Sequence, residues 1–469
     1  MDYRAFDAYV DAHADEFVGH LVELCRVPSV AAEGGPAMAQ AAELVVALCR
    51  WAGVTARLEP TAGGPPIVLG EAGDGRRRLL IYNHYDVQPP DPLDEWLSPP
   101  FEPTVRDGAL YARGVADNKG NLVARLAAAR AFREVFGALP LRLVFVLEGE
   151  EEVGSPHLES FAQAHADLLR TMEGCIWEAG YKDEEGRPTI SLGLKGILAV
   201  ELHVRTADTD AHSAAGGLYP NAIWRLVEAL STLRAADGTV LIDGLLEHVR
   251  PPTDQEMAML ERLPYDAAAV QRRMGIASFL GGLTGVAALR RLVFEPTVTI
   301  NGIVGGYTGP GSKTVIPCRA MAKLDIRLVP DLSPDLVLQL LRDHLARRGF
   351  ADVQVVAIEG GLMPARTDPN AAIVQVALAA LEDVHGCAPN VYPSMAGSGP
   401  MYQLCQAYGI PAVSTGVGWA HSRNHAPNES IRIADFIEGI KVMGRIYGQF
   451  AAANPSLYRC SDNLPDWRL

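Results

Sequence analysis

Short apolar runs alternate with amphipathic segments in the first third of the chain. Residues 79–82 and 141–147 are rich in Leu, Ile, Val and Phe and are bounded by charge or glycine, which is typical of fully buried strands. Residues 121–136 carry apolar side chains at helical spacing, and a second amphipathic helix fits Pro36–Trp51. This alternation of strands and helices predicts a largely parallel α/β sheet.

The pattern changes after Gly196. Residues 197–205 alternate apolar with polar positions, which predicts a half-solvated antiparallel sheet. We predict further strands at 298–303, 320–329 and 353–358, and helices near 221–233, 254–274 and 334–348. Residues 196–360 are therefore expected to form a separate module of sheet plus helices.

The first pattern resumes near the end of the chain, with helices predicted at 371–385 and 433–450 and a strand at 411–415. Exposed loops tolerate insertions. We therefore predict one α/β domain in two parts, 1–195 and 361–469, with a mixed, mainly parallel sheet between helices. An α+β domain, residues 196–360, is inserted in it.

Composition and charge narrow the classes of protein. The chain has 469 residues, of which 48% are hydrophobic and 21% charged, as in globular proteins of two or three domains. Its net charge of −15 repels phosphate backbones and anionic lipid, so we expect no nucleic-acid partner. No apolar run approaches the roughly 18 residues of a membrane span, and the first residues lack the features of a signal peptide. We expect a cytoplasmic protein that does not bind membranes.

The seven cysteines are scattered and contain no Cys-x-x-Cys pair. This spacing supports neither a disulfide framework nor a zinc site made of thiolates. Any metal ion would therefore be held by histidines and carboxylates.

Polar side chains gather around the predicted strand ends. His84 and Asp86 directly follow the strand at 79–82, so Asp86 could accept the imidazole N–H and orient His84. Asp117 stands just before a predicted helix. Taken alone, each has a simpler explanation: a satisfied loop histidine for His84, and a helix N-cap for Asp117.

Four carboxylates crowd into residues 148–152, after the strand at 141–147. Such a cluster is costly unless cations or solvent offset it, and a solvated acidic loop is the alternative reading. Ligand sites of α/β sheets lie at the carboxyl edge, where these segments converge. With His425 in a later loop, carboxylates and imidazoles make up the ligand set of hydrolytic Zn²⁺, Mn²⁺ or Co²⁺ sites.

Seven ordered segments resemble the M20 metallopeptidase family, and within it the carnosinase-like dipeptidases. The resemblance covers nearly the whole chain. The matching segments are His84-Tyr85-Asp86, Gly114-Val115-Ala116-Asp117-Asn118-Lys119-Gly120, Glu151-Glu152-Val153-Gly154-Ser155, His212-Ser213, Lys313-Thr314-Val315-Ile316-Pro317, Arg327-Leu328-Val329-Pro330 and His425-Ala426-Pro427-Asn428-Glu429.

The resemblance implies a site with two divalent metal ions, Zn²⁺ first and Mn²⁺ or Co²⁺ as alternatives. Its metal ligands would be His84, Asp117, Glu152, Glu178 and His425. Asp117 would bridge the ions, with His84 and Glu178 on one and Glu152 and His425 on the other. Glu151 would be the general base, and Asp86 would set the tautomer of His84.

The inserted module corresponds, by resemblance, to a lid and dimerisation domain, which implies a homodimer. His212 would stabilise the oxyanion in the partner's site, although a polar surface histidine is the simpler reading. Arg327 would bind the terminal carboxylate of a small peptide substrate, although a charged residue on a strand is normally on its solvent face. The implied substrate pocket further includes Thr314, Gly397 and Ser398.

The implied function is hydrolysis of the amide bond of dipeptides or related short peptides. Three positions depart from or complicate the match. Glu178 stands where the dipeptidases usually have Asp, which keeps open a deacylase or carbamoylase of N-substituted amino acids. Lys195 stands where Arg is commoner, and His421 competes with His425. A catalytically silent peptide-binding protein is a further alternative, but it would have no reason to retain Glu151.

Overall fold

The computed structural model describes residues 1–358 and 360–453. The chain forms two compact units. The first comprises Met1–Gly193, Arg366–Pro393 and the chain from Gln403 onward, and the second comprises Leu194–Ala365 and Ser394–Tyr402. The predicted end of the last domain at 469 lies outside the described residues.

The helices of the described chain are α1 (Arg4–Ala12), α2 (Ala14–Cys25), α3 (Pro36–Trp51), α4 (Gly120–Phe136), α5 (Leu158–Ala164), α6 (Ala166–Leu169), α7 (Ala222–Ser231), α8 (Asp254–Arg262), α9 (Ala267–Met274), α10 (Gly285–Phe294), α11 (Pro334–Arg347), α12 (Ala372–His385), α13 (Met401–Leu404) and α14 (Ile433–Ala452).

The strands are β1 (Thr55–Glu59), β2 (Ile67–Ala72), β3 (Arg78–His84), β4 (Thr104–Arg106), β5 (Ala109–Tyr111), β6 (Arg142–Glu148), β7 (Cys175–Trp177), β8 (Tyr181–Lys182), β9 (Thr189–Ser191), β10 (Gly193–Leu194), β11 (Gly196–Arg205), β12 (Ala211–His212), β13 (Thr297–Gly305), β14 (Val315–Ile316), β15 (Arg319–Leu328), β16 (Gln354–Ala357), β17 (Ala365–Arg366), β18 (Asn390–Tyr392), β19 (Ala412–Ser414), β20 (Gly418–Trp419) and β21 (Ser430–Arg432).

The first unit is built on an eight-stranded sheet in the order β1-β2-β6-β3-β7-β19-β9-β18. The four central strands β6, β3, β7 and β19 run parallel, whereas β1 and β2 are antiparallel additions at one edge. Strands β3 and β6 are buried along almost their whole length, and α4 packs against α14. This confirms the α/β fold with a mixed, mainly parallel sheet.

The second unit contains a four-stranded antiparallel sheet in the order β13-β15-β11-β16. Burial alternates residue by residue along β11 and β15, because one face packs on a core and the other does not. Leu226 of α7 and Leu341 of α11 belong to that core, together with Val200 and Leu324 of the sheet.

The structure differs from the expectations in one helix and in the domain boundaries, since the second unit extends beyond the predicted 196–360 at both ends, to Leu194 and Ala365. The helix predicted over 254–274 is two helices, α8 and α9, separated by a segment with Pro264, whose ring removes a backbone donor and does not fit a helix interior. Residues 394–402 were predicted in the second part of the α/β domain, but they belong to the second unit. They are tied there by Lys195 N, which donates to Gly397 O over 2.9 Å, and by a bridge from Leu194 to Met395.

Among the described residues, no helix combines the length and the apolar character that crossing a membrane requires.

Candidate active site

Three neighbouring parallel strands of the first unit deliver candidate ligands to one edge of the sheet. His84 is the last residue of β3 and pairs with Glu148 at the end of β6. The turn Glu151–Val153 follows β6, and Glu178 follows β7 directly. Because the strands are parallel, their carboxyl ends meet at this edge, where α/β sheets bind ligands.

Asp117 lies between two histidines. It sits on the short segment Val115–Lys119 that leads into α4. Its Oδ1 is 3.2 Å from Nε2 of His84, and its Oδ2 is 3.1 Å from Nε2 of His425. One carboxylate thus presents one oxygen to each of two groups of side chains.

Each group contains one more carboxylate. Oε2 of Glu178 is 3.3 Å from Nε2 of His84, and Oε2 of Glu152 is 3.2 Å from Nε2 of His425. Ligand atoms of Asp117, Glu152 and His425 all lie within 4.8 Å of one another. The arrangement is that of two adjacent sets of three donors sharing Asp117.

Asp86 contacts both sides of this arrangement. Nδ1 of His84 is 3.2 Å from the carbonyl oxygen of Asp86. The carboxylate of Asp86 accepts a hydrogen bond from the backbone N–H of Glu152 over 2.9 Å. A carbonyl oxygen only accepts, so Nδ1 of His84 carries the proton. Nε2 is the nitrogen turned toward Asp117 and Glu178, and it is the one that would bind a metal ion once deprotonated.

The site concentrates negative charge that the described side chains only partly offset. Burial, with nearby carboxylates, raises the pKa of Glu178 to about 8 and that of Glu151 well above its usual value. Oε1 of Glu152 and Oε2 of Glu178, both buried, make no hydrogen bond with the described residues. Buried carboxylates need pairing or a cation. Imidazole and carboxylate donors, including these unsatisfied oxygens, fit divalent metal ions.

Glu429 is a site residue whose role the sequence did not reveal. This fully buried carboxylate accepts from the backbone N–H groups of Ala116 and Asp117 at 2.8 and 3.0 Å, and from Arg113 Nη1 at 2.8 Å. It ties the loop of His425 to the segment of Asp117. Its position in the His425–Glu429 motif was the only signal.

Two neutral amides also reach the site. Gln88 donates to Oε2 of Glu152 over 3.0 Å, and Asn424 donates to Oδ2 of Asp117 over 3.2 Å. Neither residue carries a sequence pattern that distinguishes it from an ordinary loop amide, so neither could be recognised from the sequence.

The two histidines of the last loop have different surroundings. His425 contacts Asp117 and Glu152 and has a left-handed backbone with φ of 60°. Such a conformation is uncommon outside glycine and clusters at functional sites. The ring of His421 instead packs edge to face on Trp419, with centroids 4.9 Å apart.

The remaining predicted site residues belong to the second unit. His212 is exposed on β12, and the neighbouring Ser213 N donates to the carbonyl oxygen of Thr314 over 3.1 Å. Arg327 on β15 donates to Oγ of Ser398 over 2.8 Å, and Gly397 directly precedes that serine. The second unit thus brings His212 near Thr314, and Arg327 near Ser398.

The chain is similar in sequence and fold to known peptidases. The chain is 29% identical over 462 residues to the Beta-Ala-His dipeptidase of Rattus norvegicus, covering 94% of each chain. It is 28% identical to the Cys-Gly metallodipeptidase dug1 of Schizosaccharomyces pombe, covering 95% of this chain and 98% of that protein. Its fold matches the M20 family metallo-carboxypeptidase Sso-CP2 of Sulfolobus solfataricus with a TM-score of 0.86 and 36% identity, over 93% of this chain and 100% of that one.

The sequence profile described as peptidase family M20/M25/M40 matches residues 80–449, which include every candidate metal ligand. The chain therefore belongs to the M20/M25/M40 peptidase family.

Proposed function

We propose that the protein is a metal-dependent hydrolase that uses two divalent ions to cleave the amide bond of dipeptides or related short peptides. The observation that carries the proposal is Asp117, whose two carboxylate oxygens face separate donor sets, His84 with Glu178 and His425 with Glu152. A bridging carboxylate between two imidazole-carboxylate sets suits a pair of ions.

Ions bound there would supply Lewis acidity, which polarises the scissile carbonyl and lowers the pKa of water. Glu151 accepts a proton from the water while the water oxygen adds to the carbonyl carbon of the substrate. When the C–N bond breaks, Glu151 returns that proton to the leaving amine nitrogen. A carboxylate suits both steps, because it can hold the proton between them.

The second unit would bind the substrate and stabilise charge. His212 is exposed and can donate from its ring to the oxyanion that forms at the attacked carbonyl. Arg327 offers a guanidinium suited to the terminal carboxylate of the peptide, with Ser398 as its neighbour. Thr314 and Gly397 would line the same pocket.

The ligand set supports Zn²⁺ first, with Mn²⁺ or Co²⁺ as alternatives, because mixed oxygen and nitrogen sites discriminate weakly among these ions. The names of the relatives support the substrate class. The rat and fission-yeast relatives are dipeptidases by name, and the Sulfolobus protein is a carboxypeptidase by name. A dipeptidase cleaves peptides of two residues, and a carboxypeptidase removes the residue at the free carboxylate, which Arg327 would hold.

A substrate screen tests the proposal. The protein is stripped of metal, reconstituted with Zn²⁺, Mn²⁺ or Co²⁺, and assayed with dipeptides, longer peptides and N-acyl or N-carbamoyl amino acids. We expect metal-dependent cleavage of dipeptides with a free carboxylate and slower cleavage of C-terminally amidated dipeptides. Arg327→Ala should reduce only the cleavage of dipeptides with a free carboxylate. Cleavage confined to N-acyl or N-carbamoyl amino acids would instead establish the deacylase or carbamoylase alternative.

We further propose a homodimer through the second unit. Strand β13 is an edge strand of its sheet and exposes Ile300, Ile303 and Val304, and Trp224 of α7 is 66% exposed. An exposed apolar edge strand can pair with another chain. A second copy of the protein would cover β13 in a symmetric dimer. The cytoplasmic location stays a prediction from the sequence, to be checked by cell fractionation.

A further inference from the structure

Arg125 is a buried charge that the proposed chemistry does not use. It lies on α4 and is only 2% exposed, in a helix segment whose neighbours are almost all apolar. Burial lowers the pKa of its guanidinium to about 10, so the side chain is charged at neutral pH. Burying an arginine is unfavourable unless its donors are satisfied.

The guanidinium donates four hydrogen bonds, all to groups at the carboxyl ends of central strands. Nη1 donates to Tyr82 O at 2.6 Å and to Asn83 Oδ1 at 2.7 Å. Nη2 donates to Trp177 O at 2.7 Å and to Thr415 O at 2.9 Å. One planar group therefore connects the ends of β3 and β7 with the residue that follows β19.

The connected backbone carries one of the two donor sets. Asn83 immediately precedes His84, and Trp177 immediately precedes Glu178. The link continues toward the bridging carboxylate, because the Asn83 amide also donates to the side chain of Asn118, next to Asp117. A change in the distance between β3 and β7 would change the spacing of His84 and Glu178 directly.

We propose that Arg125 is a positioning residue that sets the spacing of His84 and Glu178 by joining the strand ends that carry them. This inference rests on the proposed metal site. The two parallel strands pair backbone to backbone only up to Ile81 and Ile176. Beyond that register, Arg125 joins the two chains through the carbonyl oxygens of Tyr82 and Trp177.

The test compares Arg125→Lys with wild type and with Arg133→Met. Lysine keeps the charge but has a single nitrogen, which does not span the carbonyl groups as the guanidinium fork does. Arg133 is the matched control, because it lies on the same helix and donates to the carbonyl oxygen of Ala52 at 3.2 Å. Zn²⁺ is titrated into metal-free protein labelled with ¹⁵N-histidine, and the ring nitrogen shifts of His84 and His425 are followed.

In Arg125→Lys, we expect the Zn²⁺ dissociation constant obtained from the His84 ring shifts to rise roughly 10- to 100-fold. This is the usual effect of losing a group that orients metal ligands. The constant followed at His425 should change less, and Arg133→Met should match wild type at both histidines. Wild-type constants at His84 in a folded Arg125→Lys protein would overturn the positioning role. Absence of Zn²⁺ binding by wild type would instead contradict the proposed metal site.

A second variant covers the case in which Arg125→Lys does not fold, judged by circular dichroism. Arg125→Gln is uncharged, and its shorter side chain with one amide nitrogen does not span the carbonyl oxygens of Tyr82 and Trp177. We expect it to fold and to weaken Zn²⁺ binding at His84 by about 10-fold, the lower end of the same range. Unchanged binding in this variant would overturn the proposal.

Discussion

At the scale of single residues, the acidic turn after β6 divides two tasks between adjacent carboxylates. Glu152 lies within 3.2 Å of His425, whereas none of the hydrogen bonds or ion pairs described for this site uses the Glu151 carboxylate. The pKa of Glu151 is raised by burial and by the carboxylates of Glu178, Asp117 and Glu152. This separation makes Glu151 the proton carrier and Glu152 the ligand in our proposal.

Glu151→Gln should bind metal normally yet lose roughly 10²- to 10⁴-fold in kcat, because it removes the proton acceptor and leaves every proposed ligand. Metal content by atomic absorption and turnover of a dipeptide are the two measurements. Normal turnover would show that base and ligand have been assigned to the wrong residues.

His425→Ala and His421→Ala separate the two histidines of the last loop. His425 contacts Asp117 and Glu152, whereas His421 packs on Trp419. We therefore expect His425→Ala to lose most of its bound metal after dialysis and His421→Ala to retain it. Greater metal loss from His421→Ala would contradict the proposed ligand.

At the scale of elements, an ion-pair cluster joins β8 to α14 and α12 in the first unit. Lys182 pairs with Glu438 and, at 2.8 Å, with Asp435, and His385 lies 3.5 Å from Glu438. Hydrogen bonding to His385 and Lys182 lowers the pKa of Glu438 from 4.5 to about 2. A carboxylate whose pKa is lower in the folded state stabilises that state above pH 4.5, and the effect is lost as pH falls toward 2.

Glu438→Gln should therefore lower the free energy of unfolding at pH 7, and the difference from wild type should shrink as pH falls below 4.5. Urea denaturation at pH 7, 5 and 3.5 measures it. Glu43→Gln, an exposed change on α3, is the control and should have little effect at any of these values. A difference that does not vary with pH would mean that Glu438 acts through packing rather than charge.

At the scale of the whole molecule, the candidate ligands and the proposed substrate-binding residues belong to different units. His212, Arg327 and Ser398 are in the second unit, and the chain of the first unit is interrupted to accommodate it. If dimerisation brings His212 into the partner's site, activity depends on residues from two chains. Complementation between two inactive variants tests this directly.

Mixing His212→Ala with Glu151→Gln should restore part of the activity that each variant lacks alone, because one site of a hybrid dimer then contains both intact residues. Light scattering after size-exclusion chromatography measures the mass of the dimers and the exchange of their subunits. Val304→Lys on the β13 edge should shift the protein toward monomer and abolish the recovery. Hybrids that form without recovering activity, or an active monomer, would contradict the shared site and leave the metal chemistry intact.

The sequence by itself determined the α/β fold and the family, because buried strands, amphipathic helices and short motifs are local patterns. His84, the segment around Asp117 and the acidic turn after β6 were recognisable for this reason. The expectation that their strand ends meet at one edge needed only the parallel order of the sheet.

Only the tertiary structure decided how these residues are oriented and supported. Arg125 and Glu429 bind backbone groups that are distant in sequence, such as Thr415 for Arg125 and Ala116 for Glu429, and no local periodicity records such contacts. Residues 394–402 joined the second unit through long-range backbone contacts for the same reason. A local pattern encodes which face of a strand or helix is buried, whereas the partner of a buried charge is set by where the folded chain brings its donors and acceptors.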